Sequence, residues 1–117
     1  MVRQLSPNER AALDALLVCE FAGVDQLRQQ AGSARAQGEG LIIDLVVDPS
    51  LPSADVASRV PVGAPVTDAA GNANGLHLFV EDGRLSALEY WWTADEMPEA
   101  FPDNAPCDAT ADQLQAT

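Results

Sequence analysis

The sequence predicts an α+β fold, with two N-terminal helices packed on one face of a mostly antiparallel sheet of four to five strands. Three observations predict it. A capped helix start opens the chain at Ser6-Pro7-Asn8-Glu9, and a β-branched, nearly unbroken apolar run spans residues 41–48. An Asp82-Gly83 pair then joins two apolar stretches in the manner of a tight hairpin.

Each element follows in order. Ser6 suits the N-cap, Pro7 the first helical turn and Glu9 the reciprocal arm of a capping box. Ala12, Leu13, Leu16 and Leu17 then recur at helical spacing, and Gly23 is a natural stop. A second short helix is expected from Val24 to about Gln30, ended by Gly32. Residues 33–37 read as a short edge strand turning through Gly38-Glu39-Gly40 into the strand at 41–48, which Pro49 stops. Its continuous apolar character predicts a central strand covered on both faces. Residues 49–55 form a Pro/Ser loop. In residues 56–66, Pro61 and Pro65 allow only an edge strand or an extended segment.

Residues 76–80 and 85–92 form the hairpin, with positive φ required at both turn residues, Asp82 and Gly83. Simple pairing sets Val80 opposite Leu85 and His77 opposite Leu88. Leu76, Leu78, Val80, Leu85 and Trp91 would then share one face, and His77, Phe79, Leu88, Tyr90 and Trp92 the other. The expected core is Ala12, Leu13, Leu16, Leu17, Leu27, Ile43, Leu45, Val47, Leu78, Val80, Leu85 and Trp91. Residues 1–103 read as one domain. Residues 104–117 read as an acidic tail, expected to be disordered.

Charge narrows the function classes. Eighteen acidic residues face six basic ones, all Arg, for a net charge of -12. Such a balance disfavours direct contact with nucleic acid or anionic lipid and favours solubility or a protein partner with a basic surface. The N-terminus lacks an apolar signal core and no run is long enough to span a bilayer, so a cytoplasmic location is expected. Cys19 and Cys107 lack metal or redox spacing and are expected as free thiols.

No cofactor is expected and no metal site is assigned. The lone His77 excludes a His-rich cluster, the spacing of Asp95, Glu96, Glu99 and Asp103 lacks the EF-hand glycine and terminal Glu, and neither glycine-rich turn has a phosphate-binding pattern. No catalytic residue is assigned, since no nucleophile elbow is present and no oxyanion donor accompanies His77. Two residue groups stand out. Tyr90, Trp92 and Phe101, with Asp95, Glu96 and Glu99 beside them, form a candidate partner-binding patch of aromatics and carboxylates. Asp44, His77 and Tyr90 form an alternative polar group for binding a small ligand or for weak acid–base chemistry.

The stretches Phe21-Ala22-Gly23-Val24-Asp25-Gln26-Leu27-Arg28, Ile43-Asp44-Leu45 and Gly75 through Tyr90 resemble a group of small, acidic, uncharacterised actinomycete proteins. Members of that group often carry a Gly-Cys-x-Cys turn where this chain has Gln37-Gly38-Glu39-Gly40, a departure that puts any thiol or metal role from the resemblance in doubt here. The hairpin ending in Leu88-Glu89-Tyr90 is similar to segments of bacterial toxin-immunity proteins. Three readings stay open. The first is a non-enzymatic acidic protein-binding module, such as an immunity-type or phage anti-defence inhibitor of a protein with a basic surface. The second is a small-ligand or weakly catalytic domain on the His77 face, and the third a structural homodimer.

Overall fold

A computed structural model describes residues 2–56, 64–67, 73–93, 98 and 101. Within them lie β1 (Val2–Arg3), α1 (Pro7–Leu17), α2 (Val24–Ala31), β2 (Arg35–Gln37), β3 (Ile42–Val46), β4 (Ala64–Thr67), β5 (Ala73–Glu81) and β6 (Arg84–Trp91). The strands form one antiparallel sheet in the order β1-β2-β3-β6-β5-β4. The α+β class is the one expected, and the two-residue β1 adds a short margin beyond β2.

Helix α1 begins as its sequence dictates. Ser6 accepts from the Glu9 amide at 3.1 Å, and Glu9 accepts from the Ser6 amide at 2.8 Å. The same Glu9 takes a bidentate pair from Arg3, at 2.7 and 2.8 Å, which ties β1 to the helix start. The Arg3 guanidinium holds the Glu9 carboxyl below its ordinary range, against the opposing effect of burial.

Arginines cap each helix from the other. Arg28 of α2 donates to the Leu17 carbonyl at the end of α1 at 2.8 Å, and Arg10 of α1 donates to Ala31 at the end of α2 at 2.7 Å. Terminal carbonyls with no partner inside their own helix are thereby satisfied, and the cations meet the negative ends of the helix dipoles. Arg84 is occupied in the same way, donating to the carbonyls of Leu51 and Pro49 at 2.9 and 3.0 Å.

The helices bury Ala12, Leu13, Leu16, Leu17, Val24 and Leu27 against Ile43, Leu45, Leu76, Leu78, Val80, Leu85, Leu88 and Tyr90 of the sheet. Gln30 is the polar exception, fully buried in α2. Its amide nitrogen donates to the carbonyls of Pro52 and Gly83, and its oxygen accepts from the Leu85 amide, all at 2.9 Å. One side chain thus pins the loop at residues 48–56 and the β5–β6 turn to the helical layer. That turn has φ of 53° at Asp82 and 77° at Gly83, the left-handed pair expected of it.

Four sequence expectations change. The hairpin register slips at a bulge: Val80 faces Leu85 but Phe79 faces Ala87, so Ser86 is the extra residue. From there on alternation inverts, Leu88 and Tyr90 enter the core, and Trp91 turns to the opposite face with His77. Strand β3 is interior to the sheet, but among the described residues it is covered on one face only, with Ile42 60% and Val46 40% exposed. Val47, expected in the core, is only half-buried against it. Finally, Cys19 is disulfide-bonded, not a free thiol. Cys107 and the tail expectation lie outside the described residues.

Candidate functional site

The sheet has two faces, and the helices cover one. Bulge, register and strand alternation together place Ile42 and Asp44 of β3, Ala87, Glu89 and Trp91 of β6, and His77 and Phe79 of β5 on the other. Among the described residues no helix lies over this second face.

Its aromatic part is built around a glycine. Trp91 lies directly opposite Gly75, and a Cβ added at Gly75 would fall 2.5–2.8 Å from atoms of the Trp91 indole. The bare glycine lets the ring lie across β5, which brings Trp91 within 5.9 Å of the His77 ring, centroid to centroid. Phe79 meets His77 edge-on at 6.2 Å. The Trp91 Nε1 is buried in this stack with no hydrogen-bond partner among the described residues. Burial without an acceptor is disfavoured, so the position is held by ring packing and not by polar contact.

The polar part is a His–Glu contact. His77 faces Glu89 across the β5–β6 ladder, with Nδ1 and Oε1 3.2 Å apart and both side chains part-exposed. The one-residue bulge is what brings them opposite each other. Simple pairing sets Leu88 there, so the Glu89 partner was not visible to register counting from the turn. Asp44 is exposed on the same face, opposite Ala87.

The candidate residues therefore divide. Asp44 and His77 share the uncovered face, while Tyr90 is on the core side, where it accepts from Asn74 Nδ2 at 3.2 Å. The Asp44–His77–Tyr90 group is not brought together. Nor do Tyr90 and Phe101 present an open aromatic pair. Both are buried, their rings 6.1 Å apart, and the Phe101 carbonyl accepts from Asn8 at 2.8 Å. Trp92 is half-buried against the same core. Asp95, Glu96 and Glu99 lie outside the described residues. Among those described, no group of His, Cys, Asp and Glu is arranged to hold a metal ion, and no helix is long and apolar enough to cross a membrane.

No family model, curated protein or solved structure matches this chain. Residue roles must therefore come from its own geometry.

Proposed function

We propose that this protein is an acidic, non-enzymatic binding module whose uncovered sheet face docks on a protein with a basic surface. The single observation behind this reading is that face, where Ile42 and Val46 stand exposed beside Phe79, Trp91, Asp44 and Glu89. Apolar side chains set among aromatics and carboxylates suit an interface centre with a charged surround. Charge supports the partner's sign. The net charge is -12, and Arg3, Arg10, Arg28 and Arg84 are engaged with the chain's own carbonyls and carboxylates. A second copy would carry the same net charge of -12, so a cationic partner is favoured over the homodimer. An immunity-type or anti-defence inhibitor is one protein of this kind.

The test is affinity capture from host extract at low and high salt, then titration of the identified partner with face variants. Ile42→Ser with Asp44→Lys should weaken binding about a hundredfold, and salt should weaken the wild-type complex. Asp14→Lys, on an exposed helical site, should cost only the general charge effect. Binding indifferent to salt and to the Ile42/Asp44 changes would overturn the reading.

A further inference from the structure

The uncovered face has a low point. Ala87 is directly opposite Asp44 of β3 on one side and Phe79 of β5 on the other. Its methyl group is the smallest side chain in that row and is part-exposed. Phe79 and Asp44 thus stand two strand spacings apart, about 10 Å, with only a methyl between them. Glu89 follows two residues along β6, about 7 Å away on the same face, and Ile42 faces Glu89 from β3. Among the described residues the register thus sets a small alanine between an aromatic and a carboxylate, with a second carboxylate and an exposed isoleucine beside them, which outlines a shallow depression.

We propose that this depression receives an arginine side chain from the docked partner. It deepens the docking reading and rests on it. The occupant's chemistry follows from the walls. A planar guanidinium stacks on an aromatic ring while its N–H fork meets a carboxylate, and its aliphatic stem covers apolar surface. Phe79, Asp44 and Ile42 supply those three contacts from three sides. Asp44 is the exposed carboxylate here, flanked on β2 by Gln37, and Glu89, already in contact with His77, adds a second negative charge. Exposed Arg35, opposite Val46, is an arginine on this same face and lies beyond Asp44 from Ala87. Lysine, a compact and strongly hydrated point charge, gains from the carboxylates but lacks the stacking plane. An uncharged amide gains from neither carboxylate.

Three peptides test this, acetyl-Val-Xaa-Val-amide with arginine, lysine or citrulline at the centre, citrulline being the uncharged near-isostere of arginine. Each is titrated into the full-length, disulfide-intact, isotopically labelled protein, followed by amide chemical shifts. The arginine peptide should shift residues 42–44, 77–79 and 87–89, binding about tenfold more tightly than the citrulline peptide. Ala87→Leu, which fills the depression, and Asp44→Asn should each remove most of that preference. An undisturbed spectrum elsewhere shows that each variant is folded, and Asp14→Asn should leave the preference intact. Shifts scattered over the helical surface, equal binding of the three peptides, or indifference to both Ala87→Leu and Asp44→Asn would overturn the inference. If the arginine preference is missing while partner capture still depends on Ile42 and Asp44, the docking reading stands and only the arginine assignment falls.

Discussion

Gln30→Leu should destabilise the fold through one orphaned amide. Gln30 has 0% of its surface exposed, and its oxygen is the acceptor for the buried Leu85 N–H at 2.9 Å. Leucine is similar in volume but accepts nothing, and an unsatisfied buried donor costs about 1–3 kcal/mol. The two carbonyls released add little. Gly83 keeps its bond from the Ala54 amide at 2.8 Å, and Pro52 is exposed to water. A net loss of about 1–3 kcal/mol is therefore expected, which lowers the melting temperature by roughly 4–12 °C for a domain of this size. Urea unfolding followed by tryptophan fluorescence reads the change as a lower midpoint at unchanged slope. Hydrogen exchange reads it locally, as faster exchange at the Leu85 amide.

Gln30→Glu sharpens the comparison. The introduced carboxylate still accepts from Leu85 but faces two carbonyl oxygens without a proton to give them. It should cost more than leucine at neutral pH and less in acid, where protonation restores a donor. A loss under about 0.5 kcal/mol for Gln30→Leu, with Leu85 protection unchanged, would refute the claim that this side chain holds the turn to the helices.

Two further predictions concern local contacts. Gly75→Ala, ordinarily favourable in a strand, should cost about 1–3 kcal/mol because its methyl would fall within 2.5–2.8 Å of the Trp91 ring. Paired with Trp91→Ala the cost should be less than additive in urea unfolding, and a stabilising Gly75→Ala would remove the packing argument. Glu9 has a lowered pKa in the folded state, so its contribution is present above the ordinary carboxylate range and fades as pH falls through the depressed value. Glu9→Gln should therefore be distinctly destabilising at pH ~7, with the difference from wild type shrinking as pH falls below the ordinary carboxylate range. A wild-type minus variant difference that stays constant from neutral to acid pH would show that the Arg3 pair does not contribute in this way.

The sequence by itself determined the features written in short-range chemistry. The Ser6–Glu9 capping box, the left-handed Asp82-Gly83 turn and the edge position of the strand containing Pro65 follow from conformational limits that act within a few residues. Helical spacing likewise marked Leu13, Leu16, Leu17 and Leu27 as core. Only the tertiary structure decided which face each residue of β6 occupies. One additional residue at Ser86 reverses the alternation of a whole strand, and nothing in residues 84–91 marks a bulge there. That reversal exchanged Tyr90 for Trp91 on the uncovered face, placed Glu89 beside His77, and opened the depression at Ala87. The pairing of β3 with β6 and the Gln30 contacts were illegible for a related reason. Each joins groups far apart in the chain, and composition and periodicity constrain a side chain's environment without naming the distant partner that supplies it.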